Sequence, residues 1–190
     1  MGMIVTRLIG LSGSLRRGSY NSALLRAAAE LMPDGTELAI KTIRGIPLYD
    51  GDLEESDGIP QPVTDLKEAI AASDGLLLAT PEYNNSMPGV FKNAIDWLSR
   101  PPADIKRVFG GKPVALMGAS PGGFGTVLGQ NAWLPVLRTL GAEAWSGGRL
   151  LVSRAQNVFD KDGAIVDPKV ADQLRAFLQG FTAFVRTRGP

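Results

Sequence analysis

Neither cysteine nor histidine occurs among the 190 residues. The double absence excludes a disulfide, a thiolate nucleophile and any Ser-His-Asp or Cys-His dyad. It also excludes zinc, copper and haem sites of the usual kind, which draw on those two side chains. An excess of one charge is missing as well: 20 Lys and Arg stand against 19 Asp and Glu, a net charge of +1. Proteins that bind duplex nucleic acid concentrate basic residues on one surface, and nothing here supplies one. No apolar run approaches the roughly 20 residues that cross a bilayer. The opening Met1-Gly2-Met3-Ile4-Val5-Thr6-Arg7 carries one charge ahead of Leu8-Ile9-Gly10-Leu11, too short an apolar core for a signal peptide. A myristoylation pattern at Gly2 is matched only weakly, by Thr6 alone. The expectation is a cytoplasmic protein with no membrane or nucleic-acid partner. Its chemistry is left to carboxylates, hydroxyls, amides, arginine or a borrowed organic cofactor.

What is present reads as one domain over residues 1–190, with 44% hydrophobic and 21% charged residues, ordinary for a soluble globular chain. Short apolar runs alternate with amphipathic stretches, the rhythm of a parallel sheet wrapped by helices. Strands are expected at Leu8–Leu11, Leu38–Ile40, Gly75–Thr80 and Val114–Met117, with a looser fifth from Ala142 to Val152 interrupted by Gly147-Gly148. Helical spacing joins Leu24, Leu25, Ala28, Leu31 and Met32; Val63, Leu66 and Ile70; Val90, Phe91, Ala94, Ile95 and Leu98 behind Pro88; and Val170, Leu174, Phe177, Leu178, Phe181 and Val185. A helix from Thr126 to Leu140 should bend or break at Pro135. Residues 44–62 read as loop, and the acidic run Asp50–Asp57 as a solvated segment rather than a calcium loop, since Glu55 stands where glycine is needed. Trp133 and Trp145 are expected in the core or at a subunit contact. The fold class is α/β, a doubly wound five-stranded parallel sheet in the order 2-1-3-4-5 with helices on both faces. Such sheets bind ligands beyond the carboxyl ends of their strands.

Three Gly- and polar-rich loops follow the first, third and fourth apolar runs, which are neighbours in that order, so their tips should converge. The first, Gly13-Ser14-Leu15-Arg16-Arg17-Gly18-Ser19-Tyr20-Asn21, offers turn-forming glycines, hydroxyl and amide donors, and a forked cation before a helix. This is chemistry suited to a phosphate. It lacks the P-loop lysine, because Ser19 follows Gly18. The plainer alternative is an ordinary βα loop with a Ser or Asn helix cap. The second, Thr80-Pro81-Glu82-Tyr83-Asn84-Asn85-Ser86-Met87-Pro88-Gly89, can hold a flat heterocycle or be a plain polar loop. The third, Gly118-Ala119-Ser120-Pro121-Gly122-Gly123-Phe124-Gly125, permits close backbone approach to a ligand or forms only a turn.

Together with Pro88-Gly89-Val90-Phe91-Lys92-Asn93-Ala94-Ile95-Asp96-Trp97-Leu98 and Gly111-Lys112-Pro113, these loops resemble the NADPH-dependent FMN reductase family from the first strand to about Leu140. That family has a flavodoxin-like fold and includes quinone, chromate and azo-dye reductases. The resemblance implies that Ser14, Arg16, Ser19, Tyr20 and Asn21 surround an FMN phosphate. Pro81, Glu82, Tyr83 and Asn84 would then hold the isoalloxazine, with Ser120, Gly122 and Gly123 flanking the ring or ribityl chain. It further implies hydride transfer from NADPH or NADH to FMN, followed by delivery of two electrons to a small-molecule acceptor. A homodimer or homotetramer is expected, although Val127-Leu128-Gly129-Gln130 stands where quinone reductases of the family often place an intersubunit arginine. Candidates for a 2′-phosphate are Arg100, Lys106, Arg107 and Lys112, read otherwise as solvated charges. The alternatives are a flavodoxin-like electron carrier, which the net charge of +1 disfavours, and a scaffold without cofactor.

Overall fold

The computed structural model describes residues 5–188, and Gly2 lies outside the described residues. Strands β1 (Thr6–Ser12), β2 (Thr36–Lys41), β3 (Gly75–Ala79) and β4 (Pro113–Ala119) are all parallel, in the order β2-β1-β3-β4. The fifth position is divided between β5 (Glu143–Ala144) and β6 (Leu150–Val152). Each pairs with β4, Glu143 opposite Pro113 and Leu150 opposite Met117. The expected order is therefore present, with its last strand cut in two. Trp145 explains the cut. Its ring packs 5.1 Å from Phe177 and 5.7 Å from Phe181, between centroids. A Cβ on Gly147 or Gly148 would stand 2.5 or 2.8 Å from the indole, so both glycines make room for it.

Alternation along the strands builds two cores. Leu8, Leu77, Ala79 and Met117 face α1 (Tyr20–Glu30) and α7 (Pro168–Arg186). Ile9, Leu11, Leu76 and Leu78 face α3 (Gln61–Ala71), α4 (Gly89–Leu98), α5 (Ile105–Phe109) and α6 (Val127–Thr139). With helices on both sides, β3 is buried at every residue, as its unbroken apolar run requires. Among the described residues no helix is long and apolar enough to cross a membrane.

Several expectations are corrected. Residues 44–62 are not all loop: α2 (Gly51–Asp57) forms there, because Asp50 caps its first turn by accepting from Asp52 N–H at 2.9 Å. Asp52 and Glu54 in that turn suit the positive helix end, but α2 buries no residue, so no apolar period announces it. Pro135 does not divide α6, which runs continuously past it. The missing bond would have used the carbonyl of Asn131, an exposed residue, where water can substitute. Leu31 and Met32 lie just beyond α1, although both still pack against its core. Val90 is exposed rather than buried, while Trp97 is buried in its stead. Trp97 Nε1 and Asn93 Nδ2 both donate to the carbonyl of Pro47, at 2.9 and 2.8 Å, which straps residues 44–50 across α4. Trp133 is core; Trp145 is half-buried against α7.

Candidate functional site

The carboxyl ends of β1, β3 and β4 meet at a cleft of about 220 Å³. Ser14, Arg16, Ser19, Tyr20 and Asn21 line it from the first loop, Pro81, Glu82 and Tyr83 from the second, and Ala119, Ser120 and Pro121 from the third. Sequence reasoning named all of these except Ala119 and Pro121. Of the residues it named, Asn84, Gly122 and Gly123 do not line the cleft.

The first loop is organised to leave donors free. Gly13 can turn there because it has no side chain: a Cβ would sit 2.3 Å from Phe91 and 2.9 Å from Pro81. Ser19 caps α1, its Oγ accepting from Ser22 N–H at 3.2 Å, so the plain capping role is real. Among the described residues, the N–H groups of Leu15, Arg17, Gly18, Ser19, Tyr20 and Asn21 meet no protein acceptor. The Arg16 guanidinium donates to the carbonyl of Gly18 at 2.7 Å and lies 5.7 Å from the Tyr20 ring centroid. That contact leaves most of its fork unused. Free amides, a positive helix end and a guanidinium are a donor set for a phosphate monoester, and FMN carries one.

Two of the named residues turn out to fasten the loops together. Asn21 is buried, donating through Nδ2 to the Ala119 carbonyl and accepting through Oδ1 from Ala119 N–H, both at 2.9 Å. It binds the first loop to the end of β4 and keeps one N–H in reserve. Glu82 Oε2 accepts from Leu128 and Gly129 N–H at 2.8 and 2.9 Å. Thr126, the residue before α6, makes no side-chain cap, so Glu82 supplies the cap from the second loop. Asn84 and Asn85 have φ of 50° and 61° and connect Tyr83 to Ser86, which exchange backbone bonds at 3.0 Å. This is a tight hairpin turn, and asparagine tolerates its left-handed conformation. The third loop is pinned at its stem, where Ser120 Oγ accepts from Gly122 N–H at 3.1 Å and Gly122 O accepts from Arg154 N–H at 3.0 Å.

The suggested 2′-phosphate cations lie elsewhere. Arg100 Nε pairs with Glu54 at 2.8 Å, and Arg107 grips Glu68 through two bonds of 2.9 Å. Glu54 is held below the usual carboxylate range, first by its bond from Arg100. Lys112 donates to the carbonyls of Ala71 and Ser73 at the amino end of β4, the end opposite the cleft, and burial lowers its pKa. Lys106 shares the segment leading into that same end. Arg44, to which the sequence assigns no role, does reach the first loop: its guanidinium donates to the Leu15 carbonyl at 2.5 Å.

Known proteins resemble this chain over most of its length. Residues 6–157 match the family model described as NADPH-dependent FMN reductase. The chain is 45% identical over 180 residues to an NAD(P)H-dependent FMN reductase of Pseudomonas aeruginosa, covering 95% of each. It is 39% identical over 176 residues to a 2-hydroxy-1,4-benzoquinone reductase of Burkholderia sp, covering 93% of this chain and 94% of that protein. The structure resembles FerB, a flavoenzyme NAD(P)H:(acceptor) oxidoreductase from Paracoccus denitrificans, with a TM-score of 0.87 and 33% identity. That match spans 98% of this chain and all of the other.

Proposed function

This chain belongs to the NADPH-dependent FMN reductase family, and from that membership we propose how its residues serve the reaction. It is a flavodoxin-like oxidoreductase that works with FMN and NAD(P)H. Bound FMN supplies the two-electron chemistry that links NAD(P)H to an acceptor. The first loop holds the phosphate through its free amides and Arg16. Ser14, Ser19 and Tyr20 shape that end of the cleft, with Asn21 behind them. Pro81, Glu82 and Tyr83 border the ring system from the second loop, with Asn84 forming the turn behind Tyr83, and Ser120 bounds it from the third loop, whose bend Gly122 and Gly123 continue. No side chain is required to move a proton for hydride transfer, so the lack of histidine and cysteine is no obstacle. The observation that carries this reading is the set of unpaired amides beside Arg16, opening into the cleft where three strand ends meet.

The acceptor in this proposal is a small molecule of the quinone, azo, chromate or free-flavin kind, and the protein acts in the cytoplasm as one domain. A second copy of the chain completes the site. A cleft of 220 Å³ is smaller than the roughly 300–1,000 Å³ that encloses a drug-sized ligand. Tyr83, Val90 and Leu128, from the second loop and the first turns of α4 and α6, leave apolar surface uncovered at its edge. The mass in solution should be that of a dimer or tetramer; a fully active monomer would refute this.

Anaerobic titration with NADPH and then NADH, followed by a panel of acceptors, tests the reaction. NADPH alone should bleach the bound flavin, whereas an electron carrier would stay yellow until a separate reductase was added. Arg16→Ala should weaken FMN binding by about 10- to 100-fold, from loss of a charge-assisted contact of about 1.5–3 kcal/mol. Unchanged FMN affinity would remove Arg16 from the phosphate site.

A further inference from the structure

Arg44 stands outside the cleft yet fixes part of its wall. Its guanidinium donates to the Leu15 carbonyl at 2.5 Å, across 29 positions of chain, and neither residue lines the cleft. The segment that carries Arg44 is itself held on both sides. Ile43 before it is buried in the core, and Arg44 N–H donates to Thr42 Oγ1 at 3.0 Å. Gly45 after it turns the chain at φ +85°, and the Pro47 carbonyl is strapped to α4 by Asn93 and Trp97. The loop that Arg44 reaches has no such support: Leu15, Arg16, Arg17 and Gly18 are all exposed. Packing therefore does little to choose which way each of their peptide groups points.

That direction decides what the loop can bind. In a trans peptide the carbonyl and the following N–H point opposite ways. The Leu15 carbonyl and the Arg16 N–H share one such unit, gripped at one edge by Arg44 and at the other by Ser14 Oγ, which accepts from Arg16 N–H at 3.3 Å. Among the described residues, this is the one N–H from Leu15 to Asn21 that meets a protein acceptor. A hydroxyl that accepts there keeps its proton for another partner, and Ser14 lines the cleft, so that partner is a ligand oxygen. Were the peptide to flip, its oxygen would face Ser14 in place of the N–H and capture the hydroxyl proton. We infer that Arg44 is a positioning residue for the flavin's phosphate: by holding the Leu15 carbonyl turned away, it keeps the Ser14 hydroxyl directed at the anion. The inference rests on the FMN reading above and adds a residue from outside the site. Arg44 acts through the Leu15–Arg16 peptide, not by touching the cofactor.

The test titrates the apoprotein with FMN and with riboflavin, which has the same ring and ribityl chain but no phosphate, following flavin fluorescence. Arg44→Ala should weaken FMN binding about 3- to 10-fold, the effect of one net hydrogen bond, and leave riboflavin binding unchanged. The unfolding temperature of the apoprotein should move by less than about 2 °C, because the lost contact is exposed. In a Ser14→Ala background, Arg44→Ala should cost FMN nothing further, since both residues act through one hydroxyl. Repeating the titrations in about 1 M NaCl, where the screening length is about 3 Å, separates a tether from a bare charge: the loss caused by Arg44→Ala should persist. Equal losses for the two flavins, additive losses with Ser14→Ala, a loss that vanishes in salt, a destabilised apoprotein or no loss at all would each overturn the inference. A wild type that binds FMN no more tightly than riboflavin would instead refute the phosphate reading beneath it.

Discussion

Gly118→Ala is expected to lower the unfolding temperature by about 6–12 °C, a loss of about 3 kcal/mol in a chain of this size. The added methyl would lie 2.0 Å from Thr126 Oγ1 and 2.4 Å from the backbone oxygen of Thr80. Neither neighbour can yield. Thr126 is fully buried and its hydroxyl accepts from Gln130 Nε2 at 3.1 Å, while Thr80 is buried where β3 leaves the sheet. Its Oγ1 takes the Trp133 indole N–H at 3.0 Å and donates to Pro81 O at 3.0 Å, so moving Thr80 drags the second loop with it. The carbonyl clash can be separated from the hydroxyl clash. Adding Thr126→Ala to Gly118→Ala should recover only part of the loss, because the Thr80 oxygen remains in place. A shift below about 2 °C for the single variant, read by thermal unfolding, would show that β4 and the second loop have slack that the distances deny.

The same close approach explains why the site was partly legible from sequence. Runs such as Gly75-Leu76-Leu77-Leu78-Ala79 announce a strand buried on both faces, and the loop that follows each such run must lie at the carboxyl edge. The meeting of three loops therefore followed from sheet order alone. What each side chain does within them did not. Asn21 meets Ala119 across 98 positions and Glu82 meets Leu128 across 46, contacts that no local pattern encodes. Both are expected at a ligand and both also tie down backbone, because an amide or a carboxylate in a polar loop is suited to either task. Elements held by polar rather than apolar contacts were missed for a related reason. Helix α2 is capped by Asp50 and tied to α4's end through Glu54 and Arg100. Val90 fits a helical apolar stripe, but it lies in the first turn of α4, at the margin of the fold.

Asn21→Ala should cost about 2–6 kcal/mol of stability and also weaken FMN binding, with the two losses sharing one cause. Strand β3 makes its last pairing at Ala79 opposite Met117, and Thr80 N–H closes onto Met117 O at 2.9 Å. Ala119 lies two residues further along β4, so its N–H and carbonyl point to the same side with no strand left to receive them. The Asn21 amide has the geometry of a peptide group and takes both. Alanine would leave a buried donor and a buried acceptor unpaired, at about 1–3 kcal/mol each. That is a large share of the 5–15 kcal/mol that typically separates folded from unfolded chains. Asn21→Asp offers an internal control. It preserves an acceptor for Ala119 N–H but sets a carboxylate against the Ala119 carbonyl, so at neutral pH it should be no more stable than alanine. The comparison of denaturant unfolding of the apoprotein with FMN titration separates the two roles open to this residue. A tie between loops predicts that the apoprotein itself is destabilised. If the apoprotein unfolds as the wild type does and only FMN affinity falls, Asn21 acts on the phosphate directly, and the first and third loops are held together by something else.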